Sequence, residues 1–280
     1  MKKYKIAVCI SGEARTYRDC IANIARYFAN ITLDNYEVEV DYFIHTWDKT
    51  TPKPQYANNQ TDCVIDIPFI KNHINLIDYK QDKGRTELED TRYWKPMFYS
   101  MYYCNFLKQK YELNNHFTYD LVVRTRFDII FDLRNRFLIH KMYEQTVYTA
   151  SGVSRFPNEL NCFNFDDVFF YGTSFTMNFM SNIYRYIDKN LTSELQDKQS
   201  VENQLNPIFS YGPGCLLYHY MSQYGFNYDR ILFVSYTVYR FFNLPEDWDT
   251  HRDYDKIREF MMSKYYGINL REKNENRSLL

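Results

Sequence analysis

Short apolar runs alternate with segments of helical periodicity along this chain, and this alternation constrains its fold more than any other feature. The run KIAVCI (residues 5–10) is apolar after its first residue, which is typical of a strand buried on both faces of a parallel sheet. The polar segment SGEAR (11–15) follows, then a helical stretch over 17–29 and a second apolar run, VEVDYFIHTW (38–47). This order predicts a βαβ unit with a right-handed connection.

The same alternation continues toward the C-terminus. After residue 92, apolar residues recur at steps of three and four, which predicts a helix with one buried face formed by Met97, Met101, Cys104, Leu107 and Tyr111. The sequence also predicts strands over 119–132, 147–150, 167–172 and 230–240, and helices over 176–187, 215–225 and 254–266.

One long stretch lacks this regularity. Residues 48–92 are rich in Pro, Asn, Asp and Lys, which indicates an irregular excursion over the edge of the sheet. The remaining pattern predicts an α/β fold, with a central, mostly parallel sheet flanked by helices. We expect a single domain over 1–268, followed by a polar tail at 269–280.

Charge and composition argue against several classes of protein. The 34 basic and 35 acidic residues nearly cancel, so the chain lacks the basic field of a general nucleic-acid binder. No apolar run is long enough for a membrane span or a secretory signal, and we expect a cytoplasmic protein. Six scattered cysteines without a CxxC pair indicate a reducing compartment and no zinc site. The 28 Tyr and 22 Phe supply aromatic surface that could support a homodimer.

The segment YDLVVRTRFDIIFD places charge inside a strand-like apolar run. Arg124, Arg126 and Asp128 alternate along it, so in a continuous strand they share one face. Burying two arginines is costly unless they meet anions. We expect them to face a pyrophosphate, with Asp128 either holding a divalent cation or orienting the arginines. The alternative is an internal ion-pair network in which Asp128 or Asp132 pairs with one of the arginines.

Other polar residues lie at predicted strand ends, where open α/β sheets bind ligands. Ser11, Gly12 and Arg15 combine a turn into a helix N-terminus with a cation, which suits a phosphate or a nucleotide. The segment has neither GxxxxGK[ST] nor GxGxxG, so a P-loop and a dinucleotide site are not expected. His45 lies at the end of the second predicted strand, where it could contact the same ligand.

Two adjacent carboxylates precede the strand predicted at 167–172. Asp166 and Asp167 could provide a general base that deprotonates an acceptor hydroxyl. The alternative interpretation is ordinary loop chemistry, because Asp is common just before a strand.

Taken together, these motifs resemble glycosyltransferases of the GT-A fold. The resemblance covers roughly residues 4–235, and SGEAR, HTW and the R-x-R-x-D segment carry it most specifically. The relatives in question assemble surface polysaccharides in bacteria or are encoded by large viruses and phages. If this protein is viral, its expected location is the host cytoplasm. The resemblance implies a nucleotide-diphosphate-sugar donor and a glycan or glycolipid acceptor.

The resemblance also implies roles for individual residues. Ser11, Gly12 and Arg15 would bind the nucleotide, and Asp166 or Asp167 would be the base or contact the acceptor. The acidic DxD motif of the family normally holds Mn²⁺ or Mg²⁺, and its equivalent here is 126–128, where only the second acid, Asp128, is present. Arg126 occupies the first position and would, with Arg124, supply positive charge to the leaving diphosphate.

Two other functions remain open at this level. The first is a catalytically degenerate protein that binds a sugar nucleotide or a glycan without turning it over. A departure that favours it is the GPG of residues 212–214, at a place where some relatives carry an acid. The second is a sugar-phosphate nucleotidyltransferase, which would normally need a glycine-rich, basic loop in place of SGEAR.

Overall fold

The computed structural model describes residues 1–49, 63–83, 94–139, 141–150, 154–155, 163–187, 213–230, 234–238 and 253–266. The strands are β1 Lys2–Ser11, β2 Tyr36–Trp47, β3 Leu76–Asp82, β4 Leu121–Thr125, β5 Ile129–Phe131, β6 Thr146–Thr149, β7 Ser154–Arg155, β8 Phe163–Asn164, β9 Phe170–Gly172, β10 Asn227–Arg230 and β11 Tyr236–Val238. The helices are α1 Tyr17–Ala29, α2 Ile67–Lys71, α3 Trp94–Asn114, α4 Ser174–Ser181, α5 Pro213–Gln223 and α6 Tyr254–Tyr266. The predicted tail at 269–280 lies outside the described residues.

A seven-stranded sheet forms the centre of the fold, in the order β10-β6-β9-β4-β1-β2-β3. Neighbouring strands are parallel except around β9, which is antiparallel to both β4 and β6. Two small antiparallel pairs, β5 with β11 and β7 with β8, lie outside this sheet. The predicted α/β architecture, with a mostly parallel sheet flanked by helices, is confirmed.

Helices cover both faces of the sheet, and β1 is buried between them. Ile6, Val8 and Ile10 face a core that includes residues of α1, β5 and α6. Ala7 and Cys9 face a second core, built with α3, α4 and α5. The apolar face predicted for the third helix is confirmed, because Met101, Cys104 and Leu107 are buried there, with Met97 and Tyr111 packed against them. None of the helices in the described ranges is long and apolar enough to cross a membrane.

The predicted irregular excursion at 48–92 is wrong for part of its length. Within it, α2 is a short helix, and β3 pairs in parallel with β2 and is the edge strand of the sheet on that side. The sequence of β3, LIDYKQD, has no apolar run because most of its side chains are only half-buried. Pairing with β2 therefore determines this strand more than its own composition does.

Two strand predictions also change. Only Phe170–Gly172 of the segment predicted at 167–172 is a strand. Within the segment predicted at 230–240, Tyr236–Val238 forms β11 and pairs with β5, and Arg230 is the last residue of β10, which pairs with β6; residues 231–233 and 239–240 lie outside the described residues.

Candidate functional site

The polar residues singled out from the sequence lie at one edge of the sheet. Ser11 is the last residue of β1, His45 lies two residues before the end of β2, and β4 ends at Thr125. Because β9 runs antiparallel to β4, the residues just before β9 reach the same edge, and these include Asp166 and Asp167. The carboxyl ends of the parallel strands are where ligands bind in sheets of this kind.

Arg124 is a fully buried cation with unused hydrogen-bonding capacity. Its side chain lies on the α3 side of the sheet, because it pairs with Cys9 on one side and Phe170 on the other. Nη1 donates to the backbone carbonyls of Asp167 and Val168, the latter at 2.9 Å. Nε and Nη2 have no partner among the described residues. Burial lowers the pKa of Arg124 to about 10, so the guanidinium remains charged at neutral pH.

The strand predicted through Arg124, Arg126 and Asp128 is interrupted, so these side chains do not form one row. β4 ends at Thr125, and β5 begins at Ile129 in a different sheet. Within the break, Arg126 donates to both carboxylate oxygens of Asp128, from Nε at 2.8 Å and from Nη2 at 2.6 Å. This is the bidentate ion pair that the network interpretation anticipates, and no carboxylate among the described residues contacts the side-chain nitrogens of Arg124.

The residues at Asp128 do not fit the divalent cation predicted there. Both oxygens of Asp128 already accept hydrogen bonds from Arg126. Across the part of the chain that the structure describes, no group of three His, Cys, Asp or Glu side chains could hold a metal ion. Mn²⁺ and Mg²⁺ prefer several oxygen ligands that are not committed to other partners.

Asp166 and Asp167 are equivalent in the sequence but differ in their surroundings. Asp166 is buried, and its Oδ1 accepts from the backbone N–H groups of Val168 at 2.9 Å and Phe169 at 3.3 Å. Its Oδ2 accepts from the hydroxyl of Tyr236 at 2.6 Å. The carboxylate of Asp167 is partly exposed and accepts no hydrogen bond from the described residues. Asp166 therefore fixes the turn, and Asp167 is the carboxylate that this turn presents.

Tyr236→Phe tests whether Asp166 is a structural cap. We expect the free energy of unfolding to fall by about 1–3 kcal/mol, because a buried carboxylate loses one of its donors. Chemical denaturation measures this, with Tyr228→Phe as the control because that side chain is 42% exposed. Equal stability of Tyr236→Phe and the unmodified protein would contradict the assignment.

The SGEAR segment forms an open turn between β1 and α1. Ser11 is buried, and its Oγ has no partner among the described residues. Gly12 has φ +122°, and a Cβ added there would meet nothing within 4 Å. The Arg15 guanidinium pairs with Glu13 in the same turn. Direct contact of these residues with a nucleotide stays a prediction.

His45 is fully buried, and both of its ring nitrogens are engaged by protein atoms. Nδ1 lies 2.8 Å from Oγ of Ser100, and Nε2 lies 3.0 Å from Oδ2 of Asp82. The ring nitrogens of His45, which the sequence predicts to contact the ligand, are thus engaged by Ser100 and Asp82, and its contact with a ligand stays a prediction. Sequence reasoning missed Ser100 and Asp82, although a polar Ser100 four residues before Cys104 on an apolar helix face was an available signal.

Comparison with known proteins finds similarity among solved structures. No protein-family model matches the chain, and a search of curated proteins finds no match. Among solved structures, the chain is similar to the apo form of the glycosyltransferase GlyE of Streptococcus pneumoniae TIGR4, with 9% sequence identity and a TM-score of 0.36. The similarity covers 82% of this chain and 46% of that one, so the chain spans about half the length of GlyE.

Proposed function

We propose that this protein is a glycosyltransferase that moves a sugar from a nucleotide-diphosphate-sugar donor to a hydroxyl of a glycan or glycolipid. The observation that carries the proposal is Arg124, a buried guanidinium at the carboxyl edge of the sheet with two nitrogens unpartnered among the described residues. Such a group is costly to bury unless an anion meets it. The sequence motifs SGEAR, HTW and R-x-R-x-D, which resemble those of GT-A glycosyltransferases, support a sugar nucleotide as that anion.

The donor would lie across the ends of β1 and β4. Cys9 pairs with Arg124, and Ser11 lies two residues farther along the same face of β1. The Ser11 hydroxyl, which has no partner among the described residues, and the Arg124 guanidinium therefore point to the same side of the sheet. The space beside Gly12 would let the nucleotide's phosphates approach the backbone, and N–H groups at the N-terminus of α1 would donate to them. Arg15 would join them by exchanging its contact with Glu13 for a phosphate.

In the reaction, Asp167 would act as the general base. It would take the proton from the acceptor hydroxyl as that oxygen forms a bond to the anomeric carbon of the sugar. The bond between this carbon and the phosphate oxygen breaks, and a nucleoside diphosphate leaves with the bonding electrons. Arg124 and Arg126 would stabilise the charge that develops on the leaving diphosphate.

We further propose that these arginines replace a metal at this site. Asp128 would orient Arg126 instead of binding Mn²⁺ or Mg²⁺, because Arg126 already occupies both of its oxygens. The leaving group would then be neutralised by two fixed guanidiniums, which bind phosphate oxygens bidentately.

A thermal-shift screen tests the donor and the metal together. UDP-, GDP-, dTDP- and CMP-sugars are each added with Mn²⁺ and, separately, with EDTA. We expect one diphosphate donor to raise Tm by about 5 °C at a hundredfold excess over Kd, and the rise to persist in EDTA. CMP-sugars are the control for the diphosphate, since they carry one phosphate. A rise that disappears in EDTA would contradict the metal-free site, and no rise with any donor would contradict the donor class.

Release of nucleoside diphosphate then separates an enzyme from a binding protein. A donor that raises Tm but is neither hydrolysed nor transferred to glycan acceptors would favour the catalytically degenerate alternative. The acceptor class rests on the resemblance to enzymes of surface-polysaccharide assembly, and bacterial glycans and glycolipids are therefore the first acceptors to assay.

A further inference from the structure

A chain of hydrogen bonds connects the edge strand β3 to the Gly12 turn. Oδ2 of Asp82 lies 3.0 Å from Nε2 of His45, and Nδ1 of the same ring lies 2.8 Å from Oγ of Ser100. Oγ of Ser100 in turn accepts the backbone N–H of Gly12 at 2.9 Å. His45 and Ser100 are both fully buried, so solvent does not compete for these bonds.

Asp82 fixes which nitrogen of His45 carries the proton. Burial opposes ionisation of Asp82, but hydrogen bonds from His45, Lys80 and Tyr99 outweigh it and lower the pKa of this carboxyl. An ionised carboxylate only accepts hydrogen bonds, so Nε2 of His45 must be the donor. Burial lowers the pKa of His45, which keeps the ring neutral at pH 7 and leaves Nδ1 as an acceptor.

The tautomer of His45 then orients the hydroxyl of Ser100. Nδ1 at 2.8 Å is a closer acceptor for this hydroxyl than the backbone carbonyl of His45 at 3.1 Å. With its proton directed to Nδ1, Oγ of Ser100 presents a lone pair to the N–H of Gly12.

Gly12 needs such support because of its backbone conformation. Its φ of +122° is a value that residues with a side chain rarely adopt. Sparsely populated conformations persist when the surroundings hold them, and the N–H of Gly12 is held by Ser100 and by the carbonyl of His45 at 3.2 Å.

We propose that Asp82, His45 and Ser100 are positioning residues that hold Gly12 in the conformation that binds the donor. The conclusion about the donor rests on the proposed function, whereas the conformation of Gly12 can be measured without any donor. Neither Asp82 nor Ser100 would touch the ligand.

The three residues do not form a Ser-His-Asp nucleophilic site. A nucleophilic hydroxyl attacks the substrate through a free lone pair, whereas the hydroxyl of Ser100 is directed at the protein backbone. Its Oγ also already accepts the N–H of Gly12.

Ser100→Ala and Asp82→Asn test the proposal by NMR and by donor titration. In Ser100→Ala we expect the amide hydrogen of Gly12 to exchange about 3- to 10-fold faster, because one of its two acceptors is lost. In the unmodified protein, imidazole ¹⁵N shifts should report protonation at Nε2 of His45, and Asp82→Asn should yield a mixture of tautomers. Donor affinity should fall about 2- to 10-fold in both variants.

Ser181→Ala is the matched control, because it removes another buried hydroxyl, which donates to the carbonyl of Met177 within α4. It should leave exchange at Gly12 and donor affinity unchanged.

Unchanged exchange in Ser100→Ala, or protonation at Nδ1 in the unmodified protein, would overturn the proposal. If Ser100→Ala fails to fold, Asp82→Asn decides it through the tautomer, since Asp82 is 20% exposed. If the unmodified protein binds no donor, the proposed function fails while the exchange and tautomer measurements still decide on positioning.

Discussion

Replacing Asp167 with Asn is expected to lower the rate of nucleoside diphosphate release by about 10²- to 10⁴-fold while leaving donor affinity and stability nearly unchanged. Asn has the same shape but cannot accept the proton of the attacking hydroxyl. The carboxylate of Asp167 accepts no hydrogen bond from the described residues, so its replacement leaves no buried donor unpaired. The backbone carbonyl of Asp167, which accepts from Arg124, is retained in the variant.

Asp166→Asn is the matched control for this prediction, because it makes the same chemical change at the neighbouring residue. Asp166 accepts three hydrogen bonds, from Val168, Phe169 and Tyr236, so we expect the variant to lose about 1–3 kcal/mol of unfolding free energy. Nucleoside diphosphate release is measured on both variants at saturating donor, and chemical denaturation is measured on both without donor. A catalytic loss confined to Asp166→Asn, with full activity in Asp167→Asn, would contradict the assignment of the base.

The parts of the fold that the sequence predicted well are those with strong local patterns. The β1 run is apolar on both faces because helices cover both sides of it, and the polar SGEAR turn marks where it ends. The helix face from Met97 to Tyr111 was likewise predictable, since burial against a sheet requires apolar residues at helical spacing.

Features that depend on distant partners were not predictable in this way. The pattern over 119–132 predicted one strand. In the structure, the side chain of Asn23 in α1 donates to the backbone carbonyl of Phe131 and accepts from its N–H. This contact and the pairing with β11 draw β5 into another sheet and open the break that holds Arg126 and Asp128.

The candidate site shows the same division. Its location at the carboxyl ends of the strands followed from the strand predictions, and the structure brings SGEAR, Arg124 and Asp167 to that edge. The difference between Asp166 and Asp167 depends on Tyr236, which is 70 residues away in the sequence. The support of Gly12 by Ser100 bridges 88 residues. No local pattern encodes such contacts.

Arg124→Met is expected to reduce the rise in Tm that a hundredfold excess of donor produces to about a third or less of its value in the unmodified protein. Loss of a desolvated cation from an anion site weakens binding by about 2 kcal/mol or more, which is about 30-fold or more in Kd. Methionine fills similar space without a charge. The apo protein should change in stability by about 1 kcal/mol or less, because relief from burying a guanidinium offsets the loss of its contacts with the carbonyls of Asp167 and Val168.

Arg134→Met is the control that separates an anion site from a structural ion pair. Arg134 is 64% exposed and pairs with Asp132 and Asp255, so its removal should cost less than about 1 kcal/mol and leave donor binding intact. Arg124→Lys provides an intermediate case, since it keeps the charge but loses the planar fork that binds two phosphate oxygens. If Arg124→Met instead loses several kcal/mol of apo stability and still binds donor, Arg124 is a structural residue. Nε and Nη2 of Arg124, which have no partner among the described residues, favour the opposite result, because a cation retained for stability alone would be expected to have its donors satisfied within the fold.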